Sequence, residues 1–492
     1  MPPSNILPLI NENTANEFRM EDYDLDPVTG FLPSTPPLER LPGTFYEPWE
    51  QLIDNFHDLI LTGRFRSSVD KMPVLDTSCL ATPAEYRRAF LVLSFLAHGY
   101  VWGSSEKISD RLPACVAIPW VKISDHLGVA PIQNHAAVVL WNWRLIFKDE
   151  PFSLNNLSTL FTFTNSLDES WFYLVTTAIE GCGGRALSSI ITAINAVNVG
   201  DNNQLLRALK EIGSIIKEII EILQRMFDKC DPYVFYWKVR PFLAGWENED
   251  QLPLGLIYEG ADNNDEFGNP IYRKYAGGSA GQSALIQALD IALNIEHHPT
   301  KFEQNSGNEC TSSRINGCSF SNNALKCPLN KHVKSQLPYL HKIRQNMPGP
   351  HRRFLEDLTK VANIRNYITS KVNYGSIRAV SLLDKIEDVN NLVQAYNDCL
   401  IQMKNFRSKH LQIVSAYIVI QENRKSSHVK SILPLNEDFG ANTEEIQSAT
   451  KKSTTSIKML RSIKGTGGTN LIPFLKQMRD ETVAQEIMDP IE

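Results

Sequence analysis

The stretch from residue 392 to residue 420 constrains the fold most, because it runs for 29 residues without a glycine or a proline. Its large or apolar residues recur at steps of three or four, which is the spacing of one face of an α-helix. These residues are Leu392, Tyr396, Cys399, Met403, Phe406, His410, Val414 and Tyr417. A helix of this kind is expected to bury that face against other elements of the fold.

His410 is the unusual member of this face. It lies one turn after Phe406 and one turn before Val414, and Arg407 precedes it by three residues. A core histidine bonded to a carbonyl, with Arg407 extended toward water, explains the pattern and is the favoured interpretation from this helix alone. A metal or haem ligand also explains it, because a neutral imidazole on a rigid apolar helix binds iron and a nearby cation suits a haem propionate.

Composition limits the class of protein. A chain of 492 residues with 42% hydrophobic and 21% charged residues is typical of a soluble globular protein with one large core or two to three domains. The net charge of −6 and the lack of a basic stripe argue against a nucleic acid partner. The sequence has no apolar run of about 18 residues and no secretory signal pattern, and its eight cysteines are scattered. We therefore expect a cytoplasmic protein that does not bind membranes.

The order of the patterns predicts a mainly all-α fold in two parts. Residues 1–155, with nine prolines in the first fifty, are expected to form a small mixed domain, which includes a helix over 83–102. Residues 156–492 are expected to form a large helical domain, in which the glycines at 181–184 interrupt a long helix. His297 and His298 at a helix end are interpreted as surface residues.

Two polar segments interrupt the large domain. Residues 303–332 hold Cys310, Cys318 and Cys327 at spacings that do not suit a zinc site, so a surface insertion is favoured over a metal clip. Residues 421–464 show no sustained apolar stripe and are expected to form a mobile loop, a lid or a disordered insert. The glycine-rich run at 465–469 that follows is expected to be a hinge or a ligand-closing loop.

Seven short motifs, taken together, resemble the indoleamine 2,3-dioxygenase family, of the fungal type. They are IPW at 118–120, VLWNW at 139–143, WFYLV at 171–175, RPFLAGW at 240–246, YAGGSAGQS at 275–283, FRSKHLQ at 406–412 and GTGGT at 465–469. The motifs span almost the whole chain in the family's order. Any one of these motifs would be weak evidence for the family, whereas seven in the same order are strong evidence.

The resemblance implies an enzyme with haem b that opens the indole ring of L-tryptophan with O2 to give N-formylkynurenine, the first step of the kynurenine route toward NAD. It implies a small N-terminal domain packed on a larger helical domain that holds the haem. It also implies an electron donor that keeps the iron ferrous, possible action on other indoleamines, and a monomer. Because the O2 chemistry belongs to the haem, no catalytic acid–base pair is expected.

The family's roles fall on particular residues of this sequence. His410 matches the axial iron ligand, and Arg407, Gly278 and Ser279 match residues beside the haem. The substrate contacts implied by the resemblance are Phe172, Thr176, Phe235, Arg240, Leu243, Ser279, Ala280 and Thr466. Arg240 matches the arginine that binds the substrate carboxylate, and Thr466 matches a loop residue that closes on the amino acid end.

Two residues depart from the family's pattern near these positions. His135 stands where relatives usually carry tyrosine, and Thr176 stands where some carry serine. Two other hypotheses remain: a haem protein of the same fold that binds O2 with little turnover, and a helical interaction protein that has lost haem. Arg240 and Thr466 argue against the first, because an O2 carrier has no use for a carboxylate clamp. The joint presence of His410, Arg407 and Ser279 argues against the second.

Overall fold

The structure is a computed structural model that describes residues 18–103, 108–247, 249–262, 264–298, 342–377, 383–424 and 471–488. It is mainly helical, which confirms the predicted fold class. The helices are α1 Glu47–Asp54, α2 Phe56–Leu61, α3 Phe65–Val69, α4 Pro83–Trp102, α5 Ala114–Leu127, α6 Leu167–Val199, α7 Asn202–Gln224, α8 Met226–Lys229, α9 Pro232–Val234, α10 Ala284–Ala292, α11 Gly349–Val361, α12 Ile364–Ile377, α13 Leu383–Val414 and α14 Leu471–Val483. No helix in these ranges is long and apolar enough to cross a membrane.

Short strands and turns connect the helices. The strands are β1 Arg111–Leu112, β2 Arg144–Leu145, β3 Leu157–Ser158, β4 Leu256–Tyr258 and β5 Tyr272–Arg273. One sheet has the order β1-β4-β5, with β1 parallel to β4 and β5 antiparallel to it, and β2 pairs with β3. Within the described ranges, three π-helical turns cover Ala136–Leu140, Phe235–Val239 and Ser415–Val419. The 3-10 turns are Met20–Tyr23, Leu154–Asn156, Arg240–Leu243 and Ala280–Gln282.

Polar caps fix the start of the long helices. The Thr82 side chain accepts a hydrogen bond from the Glu85 amide at the start of α4, where Pro83 occupies the first turn. Ser166 and Asp201 cap α6 and α7 in the same way. These caps satisfy amide groups that have no partner inside the helix, so the local sequence defines where each helix begins.

The predicted stripe of α13 forms the centre of the large helical region. Its members Leu392, Tyr396, Cys399 and Met403 are at most 1% exposed, and α13 packs on α7 and α14. The Cys399 thiol donates a hydrogen bond of 3.1 Å to the carbonyl of Leu209 in α7. The helical interpretation of this stretch is therefore confirmed. The helix also continues through residues 421–424, which were predicted to begin the polar loop.

The glycines at 181–184 do not interrupt α6, and the prediction of a break there was wrong. The helix runs from Leu167 to Val199 without interruption. Its glycines are used for close packing against the N-terminal arm. A Cβ atom on Gly184 would lie 2.3 Å from the amide nitrogen of Gly30, which has a positive φ of 67° in the N-terminal arm. Glycine at both positions lets the two backbones touch.

The N-terminal arm and the helical region share one continuous apolar core. Strand β1 pairs with β4 across the predicted boundary, and Tyr23 donates a hydrogen bond of 2.9 Å to Asp357 in α11. The division into residues 1–155 and 156–492 stays a prediction. The insert at 303–332, the segment 425–464 and Thr466 lie outside the described residues.

The contact between Gly184 and Gly30 gives a test of the packing. Gly184→Ala is expected to lower the free energy of unfolding by about 1–3 kcal/mol, because the added methyl group forces two backbones apart. The matched control is Gly213→Ala in α7, where a Cβ would lie 3.6 Å from the Cys399 sulfur, an ordinary contact. That variant should be neutral or more stable by up to about 1 kcal/mol. Urea unfolding measures both, and equal effects would refute the packing account.

Candidate functional site

His410 lies on the mostly buried face of α13. On that face Met403, Val414 and Tyr417 are buried, whereas Phe406 and His410 keep part of their surface accessible. Burial, and next the charge of Arg407, lowers the pKa of His410 to about 4, so its ring is neutral at pH 7. The His410 ring therefore keeps an accessible edge although it sits on a mostly buried helix. No hydrogen-bond partner for this ring is found among the described residues, which leaves a nitrogen lone pair for a ligand.

The α6 helix contributes a second wall. Between Trp171 and Gly181 every residue is buried except Phe172 and Thr176, which lie one turn apart on the same face. The Phe172 ring stacks at a tilt on Phe235, with 4.5 Å between ring centres. Phe235 in turn lies 5.7 Å from Tyr417, two turns beyond His410 on the same long helix. These contacts join the predicted indole walls to the helix that carries His410.

Arg240 and Leu243 lie in the 3-10 turn that follows the π-helical turn Phe235–Val239. Arg240 is half-buried, its guanidinium carbon lies 5.3 Å from the centre of the Tyr236 ring, and burial lowers its pKa below the ordinary value. Because a poorly hydrated guanidinium binds an anion more strongly, this environment suits a carboxylate ligand. Leu243 is buried.

The glycine-rich segment 277–283 packs directly against this turn. A Cβ on Gly277 would lie 2.2 Å from the carbonyl oxygen of Leu243, so the two backbones touch. Within the segment Gly278 and Ser279 are half-buried and Ala280 is exposed. The Ser279 hydroxyl accepts a hydrogen bond of 3.3 Å from the Gly281 amide, which shapes the turn. The segment therefore presents its predicted site residues beside Leu243.

Arg407 belongs to a buried polar network. Its Nη2 donates to Asp290 Oδ1 at 2.5 Å, and its Nη1 donates to the Thr482 hydroxyl in α14. Asp290 lies in α10, the helix that follows the glycine-rich segment. Although burial favours the neutral acid, Arg407 and His297 hold the pKa of Asp290 below its ordinary value. The network thus connects the His410 helix to α10 and α14.

His297 is part of this network, so its interpretation as a surface residue was wrong. It is 4% exposed, its Nε2 lies 3.1 Å from Asp290 Oδ2, and its Nδ1 lies 3.0 Å from Glu481 Oε2 in α14. Two carboxylates, one facing each ring nitrogen, favour the protonated form of His297. His298 is exposed, as predicted.

The described residues contain no group of three or more histidine, cysteine or acidic side chains that could hold a metal ion. If His410 binds a metal, it would do so without further side-chain ligands from this part of the chain. A single axial histidine is a haem ligand set, in which the macrocycle supplies the other donors. The residues present therefore fit the haem that the resemblance implies.

Three buried ionisable residues near the site were missed in the sequence. They are His98 in α4, Glu180 in α6 and Asp290 in α10. His98 Nδ1 donates to the carbonyl of Phe242 at 2.8 Å and its Nε2 accepts from the Gln133 amide, while burial lowers its pKa to about 3. Each stands alone in an apolar helical stretch, and that isolation is the signal that could have identified it.

The His297 network predicts a pH dependence of stability. Burial alone would lower the pKa of His297, but the hydrogen bonds to Asp290 and Glu481 raise it above the ordinary value of 6.5. Because the folded pKa is the higher one, the stabilisation is complete below about pH 6.5 and is lost as pH rises through the folded pKa. Wild type should therefore exceed His297→Gln in free energy of unfolding most clearly at low pH.

The measurement is urea unfolding of both proteins at several values between about pH 5.5 and about pH 9. His298→Gln is the matched control, because its side chain is 59% exposed and its ion pair with Glu481 is solvent-screened. A difference between wild type and His297→Gln that stays constant with pH would show that folding does not raise the pKa of His297.

Comparison with known proteins agrees with the motifs and the fold. The family model for indoleamine 2,3-dioxygenase matches residues 19–485. An indoleamine 2,3-dioxygenase of Saccharomyces cerevisiae is 34% identical over 94% of this chain and 93% of its own length. Indoleamine 2,3-dioxygenase nanC of Aspergillus nanangensis is 32% identical over 95% of this chain and 97% of its own length. The 6-hydroxytryptophan 2,3-dioxygenase fscD of Fusarium equiseti is 29% identical over 94% of this chain and 97% of its own length. The chain belongs to the indoleamine 2,3-dioxygenase family.

Proposed function

We propose that this chain is a haem-dependent dioxygenase that opens the indole ring of L-tryptophan with O2 to give N-formylkynurenine, the first step of the kynurenine route. The observation that carries the proposal is the neutral, partly accessible His410, on a helix joined through Tyr417 and Phe235 to Phe172. Arg240 follows Phe235 by five residues. Haem requires an axial ligand, and an aromatic amino acid requires an aromatic slot for its ring and a cation for its carboxylate.

His410 would bind the haem iron, with Arg407, Gly278 and Ser279 beside the macrocycle. Asp290 and Thr482 hold the Arg407 guanidinium in a fixed place, so this cation needs little reorganisation when an anionic group approaches. Bound haem b supplies the activation of O2 when its iron is ferrous, and an external electron donor keeps it so. No side chain needs to act as a catalytic acid or base.

The substrate is flat and apolar at one end and zwitterionic at the other. Phe172, Phe235 and Leu243 would contact the indole ring and keep water away from it, and Thr176 would border this slot. Arg240 would bind the carboxylate, while Ser279 and Ala280 would lie beside the substrate. The Thr176 hydroxyl donates a hydrogen bond of 3.0 Å to the carbonyl of Phe172. The methyl group of Thr176 is therefore the part of its side chain that would border the slot. Thr466 stays a prediction from the resemblance.

The overall activity can be tested with the purified protein, ascorbate and a redox mediator. L-tryptophan should give the absorbance of N-formylkynurenine, and D-tryptophan and 6-hydroxytryptophan in parallel define the substrate range, because one relative acts on the hydroxylated substrate. A haem-loaded protein that binds O2 without product would instead support an O2-binding role. We further propose a cytoplasmic monomer of two domains, which gel filtration and limited proteolysis can examine.

His410→Ala should abolish stoichiometric haem binding, because it removes the axial nitrogen that anchors the iron. The measurement is the ratio of haem absorbance to protein absorbance after reconstitution with haemin. His298→Ala is the control, since it removes an exposed imidazole. If His410→Ala keeps full haem with an unchanged spectrum, another residue binds the iron.

Arg240→Ala should retain haem and lose about ten- to 150-fold in kcat/KM for L-tryptophan, because a charge-assisted contact contributes about 1.5–3 kcal/mol. Indole substrates without a carboxylate should lose much less. Lys238→Ala, an exposed cation two residues away, is the matched control. Equal losses with and without the substrate carboxylate would mean that Arg240 has only a structural role.

A further inference from the structure

Glu180 is a buried carboxylate beside the site that the proposed function does not use. It lies on α6 four residues after Thr176 and eight after Phe172, and so continues the face that carries both proposed substrate contacts. Its side chain is 1% exposed. Because a buried carboxylate is costly unless it is hydrogen-bonded, its partners indicate its role.

Two hydrogen bonds converge on one oxygen of Glu180. The Ser283 hydroxyl donates to Oε1 at 2.6 Å, and His135 Nε2 donates to the same oxygen at 2.8 Å. Ser283 ends the glycine-rich segment, and His135 immediately precedes the π-helical turn Ala136–Leu140. Glu180 thereby joins three separate parts of the chain at the edge of the proposed substrate site.

Gln282 strengthens this connection. Its Oε1 accepts a hydrogen bond of 3.0 Å from the His135 amide, and its Nε2 donates one of 3.0 Å to the Gly277 carbonyl. The first and last parts of the glycine-rich segment are therefore both tied to His135 and Glu180. Gly278 and Ser279 lie between these ties, so movement of Glu180 would be transmitted to them.

The second oxygen of Glu180 has room for a further partner. No hydrogen bond to Oε2 is found within the described ranges. Glu180 lines a cavity of about 10 Å³ together with Asn346 and His351, which is the space of about one water molecule. Burial lowers the pKa of His351 to about 4, so this side of the cavity is uncharged. Glu180 can accept another hydrogen bond there without releasing His135 or Ser283.

We propose that Glu180 is a positioning residue for the tryptophan site, which acts through His135 and Ser283 and does not itself touch the substrate. It holds the glycine-rich segment and the His135 loop against the face of α6 that carries Phe172 and Thr176. The proposal rests on the proposed function. It also gives a role to His135, which stands where relatives usually have tyrosine: its imidazole faces the Glu180 carboxylate.

Glu180→Gln tests this role, because it keeps the size of the side chain but removes the charge that strengthens both hydrogen bonds. We expect KM for L-tryptophan to rise about tenfold or more, a smaller change in kcat, and an unchanged ratio of haem to protein. Amide hydrogen exchange of residues 277–283 in the purified enzyme should become faster. This second readout does not depend on turnover.

Glu169→Gln is the matched control. Glu169 is an equally buried carboxylate of α6, but it accepts hydrogen bonds of 2.7 Å from the amides of Phe163 and Thr164 before the helix. It should lower the melting temperature while leaving KM and the exchange of residues 277–283 near wild type. If both variants change KM alike, or neither accelerates this exchange, Glu180 is only a stabilising residue and the proposal fails.

A double-mutant cycle tests whether Glu180 acts through its partners. In a His135→Phe, Ser283→Ala background, Glu180→Gln should change KM less than twofold, because the groups that it positions are absent. An undiminished effect in that background would overturn the proposed route. If wild type does not turn over tryptophan, the proposed function fails, and hydrogen exchange still shows whether Glu180 orders the segment.

Discussion

The ion pair between Arg407 and Asp290 is the interaction on which the site most depends. Both side chains are buried, and a buried charge without its partner costs about 3–5 kcal/mol. His297 and Glu481 extend the pair into a network of four ionisable side chains. Apolar packing is non-directional, whereas these hydrogen bonds fix angles and distances. They determine how the helix with His410 sits against α10 and α14.

The three π-helical turns described above all lie beside proposed site residues. His135 precedes one, Phe235 begins another and Arg240 follows it, and the third begins five residues after His410. A π-helical turn inserts one residue relative to an α-helix and so rotates the side chains that follow. The fold uses this device where apolar helices must turn particular side chains toward a common space.

Much of the architecture could be predicted, because apolar periodicity and capping residues identify long helices in the sequence. The α13 stripe and the bounds of α4 are examples, and the motifs identified the family. Tertiary contacts were not predictable in the same way. Glycines at 181–184 suggest a helix break by propensity, yet close approach to Gly30 requires them inside a continuous helix. His297 looked exposed because its carboxylate partners are 7 and 184 residues away. The site residues themselves remain predictions from motifs, supported by where the fold puts them.

The contact of the N-terminal arm with α11 has a consequence for how the chain folds. Tyr23 bonds Asp357, and Phe31 packs edge-on against His351 with 4.9 Å between ring centres, so partners meet across more than 300 residues. During synthesis the arm is made more than 300 residues before α11, so the surface of α11 that it contacts does not yet exist. Contacts of such long sequence separation slow folding and leave apolar surface exposed meanwhile. We therefore expect the arm to pack late in folding, after α11 has formed.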